Sequence, residues 1–149
     1  ESIVAAQSLG VRAVLVLGKN PANQLPELPP DMLAVNYAPF SELFPRCAAI
    51  VHHGGIGTTG LALQAGRPAL VVPSAHDQPD NAARVARLGV GSVIPLRRYT
   101  AARATRALDR LRHDPAIASR ATAFGQQLQS EDGVARACDA IEDVLHRGR

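Results

Sequence analysis

The chain has 149 residues, 46% of them hydrophobic and 19% charged, which suits one globular domain with a sizeable core and excludes intrinsic disorder. No apolar run reaches the length of a membrane span, and two cysteines, Cys47 and Cys138, offer neither a disulfide framework nor a CxxC zinc site. A net charge of +3 carried almost wholly by Arg, with Lys19 the single lysine, singles out no partner; 3% aromatics without Trp exclude a base-stacking platform for single strands. A reducing, cytoplasmic setting is expected, with no nucleic-acid partner and at most peripheral membrane association.

Residues 3–9 read as the tail of a helix closed by Gly10. Val11–Leu17 is a continuous aliphatic run, short enough for a strand buried on both faces. Gly18–Asp31, with four prolines, reads as loop, and Met32–Tyr37 as a second strand. Ser41 is expected to cap a single helical turn that stops before Pro45. Cys47–His52 is the third strand and ends in Gly54-Gly55-Ile56-Gly57; a helix over Thr58–Ala65 stops at Gly66, and Pro68–Pro73 is the fourth strand. The loop Ser74–Gln78 leads to a helix over Pro79–Leu88, and Val90–Ile94 is a short fifth strand. The last third is helical, with Thr100 and Asp114-Pro115 as start signals. The final helix, from Gly133, sets Val134, Cys138, Ile141 and Leu145 on one face. Arg103, Arg106 and Arg110 share a helical face that reads as solvated. Strands alternating with helices through short loops predict an α/β fold: a Rossmann-like parallel sheet with helices on both faces.

Two segments carry chemistry. In the first, the strand ending at His52-His53 runs through glycines straight into a helix. Glycines admit close backbone approach by a ligand, and the first amides of a helix are free donors at its positive end, so the turn suits a phosphate. Thr58 adds a hydroxyl there, and a preceding His could donate to a diphosphate oxygen. Equally, the glycines could serve only helix–sheet packing, with the histidines ordinary strand-end residues. A shared metal ion is rejected, because neighbours on a strand point to opposite faces. In the second segment, Asp77 and Gln78 follow the next strand, on the sheet edge that faces the ligand crevice of an open α/β sheet. Together they suit vicinal hydroxyls; alternatively Asp77 caps the following helix, and it could do both.

The pieces Tyr37-Ala38-Pro39-Phe40, His53-Gly54-Gly55-Ile56-Gly57-Thr58-Thr59, Gly66-Arg67-Pro68 and Asp77-Gln78-Pro79-Asp80-Asn81-Ala82 resemble the donor-binding half of family 1 glycosyltransferases of GT-B architecture. The likeness is to the erythromycin-biosynthesis CIII-like, macrolide and sterol types, and covers over a third of the chain. The resemblance implies that His53, with the amides around Gly55, Gly57 and Thr58, holds the diphosphate. It implies likewise that Tyr37 and the Ala38 backbone meet the nucleobase, and that Asp77 and Gln78 hold the transferred sugar. It implies an inverting transfer of a hexose from a UDP- or TDP-sugar to a hydroxyl of a small lipophilic acceptor, as in natural-product biosynthesis, with no cofactor and no metal. Leu61 stands where plant members of the superfamily place a ribose-binding Glu, which leaves UDP and TDP equally open.

The acceptor site and general base of this family lie in an N-terminal domain that residues 1–149 do not contain, so no catalytic residue is expected here. The chain opens on Glu1-Ser2-Ile3, inside the family's first helix, so the first strand, central in the sheet between those at Val11–Leu17 and Cys47–His52, is expected to be missing. The segment alone should then be inactive and poorly stable. Two other readings stand beside this one: a nucleotide-sugar-binding subunit active only with a separate acceptor-domain chain, and a dinucleotide-binding oxidoreductase domain. The latter fits poorly, because the Gly-rich turn follows a late strand and no acidic ribose ligand follows it.

Overall fold

In the computed structural model, residues 1–19, 25 and 27–147 are described. The Gly18–Asp31 segment therefore lies partly outside them. The element order is α1 (Ser2–Ser8), β1 (Ala13–Val16), β2 (Met32–Val35), α2 (Phe40–Leu43), β3 (Ile50–His52), α3 (Ile56–Gln64), β4 (Ala69–Val71), α4 (Gln78–Leu88), β5 (Gly91–Val93), α5 (Ala101–His113), α6 (Pro115–Gln129) and α7 (Gly133–Arg147). Short 3-10 turns cover Phe44–Arg46 and Leu96–Arg98.

All strand pairs are parallel, as the strand–helix alternation requires. The ladders fall into two sheets, β1-β2 and β3-β4-β5. Between the described residues, then, no ladder joins β1 to β3, and that is where the division was expected. β4 is central, and its consecutive aliphatic residues serve both faces. Ala69 and Val71 pack with Ala82, Val85 and Val90 under α4, while Leu70 packs with Ala5 of α1 and with Ala104, Leu111 and Ile117 of α5 and α6. Val14, Val16 and Val51 stay 36–45% exposed, which interior strands of a two-face-covered sheet do not show.

Helix termini follow local chemistry. Thr100 accepts from the Arg103 amide, and Asp114 from the amides of Ala116 and Ile117 with Pro115 at the first helical position. Gly89 closes α4 with φ +67°. One start differs from expectation. Ser41 is not a cap: α2 begins at Phe40 after the extended Pro39, without a side-chain cap bond. Nor does the helical path stop before Pro45, because the 3-10 turn runs through it; an early helical position needs no amide donor from proline. Phe40 stacks on the buried Phe44 ring at 4.6 Å, which fixes this turn against Ile50 and Ala62.

The spaced apolar residues of α7 find no core. Val134, Ile141, Val144 and Leu145 are 61–76% exposed, and Cys138 is exposed as well. No helix of the described residues is long and apolar enough to cross a membrane.

Candidate functional site

Because β3, β4 and β5 are parallel and in register, their C-terminal ends share one edge. His52 pairs with Val71, and Val71 with Val93. The turn after β3 and the loop after β4 must therefore emerge side by side.

Strand alternation separates the two histidines, as expected: His52 is buried and His53 exposed. The His52 Nδ1 accepts from the Gly54 amide at 3.1 Å, which leaves the proton of the neutral ring on Nε2. That Nε2 is buried and has no partner among the described residues. Burial, and secondarily the charge of His53, lowers the His52 pKa from 6.5 to about 4. His53 lies over the turn, where a Cβ on Gly55 would meet its Nε2 at 2.6 Å.

The glycines divide into two groups. Gly54 has φ +96°, and a Cβ there would stand 2.9 Å from Val71 Cγ1 and 3.1 Å from the Gln78 carbonyl oxygen. Gly54 is required by conformation and packing. Gly57 is the opposite case: it has no positive φ, and a Cβ would meet nothing within 4 Å. Glycine in a helix interior costs roughly 0.5–1 kcal/mol relative to alanine, and no contact among the described residues requires it here, or at Gly60 further along α3.

At the start of α3 the N-cap is Gly55, with no side-chain cap bond. The Thr59 amide already donates to the Gly55 carbonyl at 2.9 Å, and the Thr59 hydroxyl doubles that contact. No described group accepts from the amides of Ile56, Gly57 or Thr58, the expected orphan donors of a first turn. Thr58, next to them, is half-buried.

After β4, Asp77 occupies the N-cap position of α4 but makes no cap bond, so capping does not explain it. It is exposed, and one carboxylate oxygen accepts from Asn81 Nδ2 at 2.7 Å. Gln78 is split in role. Its Oε1 accepts from the Ser74 amide and hydroxyl, both at 2.9 Å, and from the Ala75 amide at 3.2 Å, so the carbonyl end braces the loop. Only the Nε2 end remains to receive a hydroxyl. At the loop tip, His76 takes φ +57°, an uncommon backbone state for a residue with a side chain.

The structure thus brings together His53, Gly55, Gly57, Thr58, Asp77 and Gln78. Tyr37 and Ala38 follow β2 in the other sheet, with Tyr37 76% exposed and bonded to none of these residues. Arg67, although part of a matched motif, is structural; it donates to the Pro45 carbonyl at 2.6 Å. Gly66 is structural too, since α6 approaches so closely that a Cβ on Gly125 would lie 2.6 Å from the Gly66 Cα. The motif reading missed the roles of His52 and Asn81, which grip the Gly54 peptide from its two sides. A buried polar residue next to an essential glycine was the available signal. Two cavities of about 290 and 320 Å³ lie near the far end of α3, around Gly66, Gln64 and Gln129, not at the turn. Among the described residues no three His, Cys, Asp or Glu side chains converge as a metal site.

In sequence and fold the chain is similar to known glycosyltransferases. The family model described as "Erythromycin biosynthesis protein CIII-like, C-terminal domain" matches residues 3–141. O-mycaminosyltylonolide 6-deoxyallosyltransferase of Streptomyces fradiae is 40% identical over 143 residues, covering 95% of this chain and 33% of that protein. A sterol 3-beta-glucosyltransferase of Yarrowia lipolytica is 42% identical over 135 residues, covering 89% of this chain and 9% of that protein. Among solved structures, the glycosyltransferase VinC in complex with DTDP superposes with a TM-score of 0.86 at 28% identity, over 97% of this chain and 37% of that one. The kitacinnamycin glycosyltransferase gives 0.82 at 35% identity, over 94% and 36%. The chain spans about a third or less of the length of these relatives.

Proposed function

The chain belongs to the erythromycin biosynthesis protein CIII-like C-terminal domain family, and from that premise we propose that it is the donor-binding part of a glycosyltransferase. The observation that carries the reading is the start of α3: three unbonded amides beside a glycine whose missing side chain opens onto free space. A diphosphate meets there the amides of Ile56, Gly57 and Thr58, the Thr58 hydroxyl and the His53 imidazole, in the field of the helix N-terminus. Asp77, through its free carboxylate oxygen, and Gln78, through Nε2, take hydroxyls of the sugar.

In the transfer, an acceptor hydroxyl oxygen bonds to the anomeric carbon as the bond to the diphosphate oxygen breaks, which inverts the configuration. The proton passes to a base outside this chain. The contribution of these residues is to hold the donor in place and to stabilise the charge that develops on the leaving diphosphate, with fixed dipoles and an imidazole. The donor is a UDP- or TDP-hexose, with Tyr37 and the Ala38 backbone at the base, and the acceptor a small lipophilic alcohol bound by a further domain. The open edges of β1 and β3 take one more parallel strand in that larger protein.

The test is kinetic. In the intact protein His53→Ala lowers kcat/KM by about 2–4 kcal/mol, whereas Asp77→Asn impairs use of the sugar donor more than binding of bare UDP or TDP. Unchanged turnover by a folded His53→Ala protein would reduce His53 to a surface residue and remove this reading.

A further inference from the structure

Asn81 sits inside α4, a poor position for a residue that prefers caps and turns. It is only 6% exposed, so its amide must be paired to be tolerated. Its Nδ2 donates twice, to the Gly54 carbonyl at 2.9 Å and to the Asp77 carboxylate at 2.7 Å. Both partners only accept, so the atom facing them is the amide nitrogen, with both of its hydrogens engaged. One bond would satisfy the Gly54 carbonyl and stabilise the fold. The second reaches an exposed carboxylate that caps nothing, and fixes one of its oxygens while leaving the other free.

We infer that Asn81 is a positioning residue that locks the sugar-facing carboxylate of Asp77 to the phosphate-binding turn through Gly54. Recognition of the sugar and of the diphosphate then share one rigid frame: His52 holds the Gly54 amide, Asn81 its carbonyl, and the same Asn81 nitrogen aims Asp77. This assignment rests on the donor-binding reading above.

The experiment is calorimetric titration of the intact protein with UDP, TDP, UDP-glucose and TDP-glucose. The quantity of interest is the affinity gain that the sugar adds to each bare nucleotide. Asn81→Ala reduces that gain by about tenfold, the loss expected when a charge-assisted hydrogen bond no longer orients a carboxylate. Asn81→Ser, whose single shorter hydroxyl cannot serve both partners, does the same and covers the case in which the alanine protein fails to fold. In an Asp77→Asn background the Asn81 substitutions leave the sugar gain unchanged, because there is no carboxylate left to aim; a purely structural role would lower it in both backgrounds. An undiminished gain in the single variants, or an equal loss in the Asp77→Asn background, overturns the inference. Failure of the unaltered protein to bind any of the four ligands overturns the donor reading and this inference together.

Discussion

Gly57→Ala separates site from scaffold by moving stability and binding in opposite directions. The added Cβ meets nothing within 4 Å and the backbone there has no positive φ, so the fold gains the usual helix preference for alanine. That is roughly 0.5–1 kcal/mol, or a rise in Tm of about 1–4 °C for a chain of this size. On the donor-binding reading the same methyl occupies the space through which a phosphate oxygen reaches the amides of residues 56–58, so affinity for TDP or UDP is expected to fall at least about tenfold, near 1.4 kcal/mol. Gly54→Ala is the control. With φ +96° and Val71 Cγ1 2.9 Å from the new carbon, it loses about 2–5 kcal/mol of stability from strain and overpacking. Thermal unfolding and nucleotide titration of the two variants give both quantities. A Gly57→Ala protein that binds nucleotide as before would refute the argument that a ligand explains this glycine.

Other expectations follow from the same geometry. The folded pKa of His52 lies near 4, below its ordinary 6.5, so the unfolded chain takes up a proton in that window which the fold refuses. Stability therefore falls as pH drops from about 6.5 to 4, by up to about 3 kcal/mol. His52→Asn keeps an acceptor for Gly54 and should flatten this part of a urea-unfolding series; an unchanged slope excludes His52 as its source. Gly125→Ala forces α6 away from α3, since its Cβ would stand 2.6 Å from the Gly66 Cα and 3.1 Å from the Leu63 carbonyl oxygen. Thermal unfolding should register a loss of about 1–3 kcal/mol, and an unshifted Tm would mean the contact is soft. Leu61 is four residues on from Gly57, on the same face of α3. Leu61→Glu offers a carboxylate to a ribose 2′-hydroxyl and moves the UDP-to-TDP affinity ratio toward UDP by about tenfold; a constant ratio removes Leu61 from the nucleoside's surroundings.

Much of the architecture was legible because period and punctuation agreed. The aliphatic run before Pro73 is buried on both faces of β4, Gly89 ends α4 through a left-handed backbone, and the side chains of Thr100 and Asp114 cap the helices they begin. Ser41 misled, because a serine two residues after Pro39 competes with a proline-set extended backbone and a stacked Phe40–Phe44 pair that starts the turn earlier. The apolar spacing of α7 was real but did not imply burial, since periodicity reports a face and not what covers it. In the site, residue types were readable and their reasons were not. Gly54 and Gly57 look alike in sequence, yet one is fixed by φ and by Val71, the other only by open space. Asp77 read equally as cap or ligand, and the structure places it at the N-cap position without a cap bond, which counts against capping.

What distinguishes a ligand group from a framework group here is whether its hydrogen-bonding capacity is already used. Thr59, Asn81 and the carbonyl of Gln78 spend theirs on Gly55, Gly54, Asp77 and the Ser74–Ala75 backbone. The groups left over are three amides, the Thr58 hydroxyl, the His53 ring, the Gln78 amide nitrogen and one Asp77 oxygen. That remainder is rich in donors at the positive end of a helix and holds a single anionic acceptor at its border. A bare anion would leave Asp77 facing it across the turn with nothing to accept. On the donor-binding reading proposed above, a diphosphate that carries hydroxyls beyond its terminal oxygen would satisfy both sets at once, which a free phosphate would not.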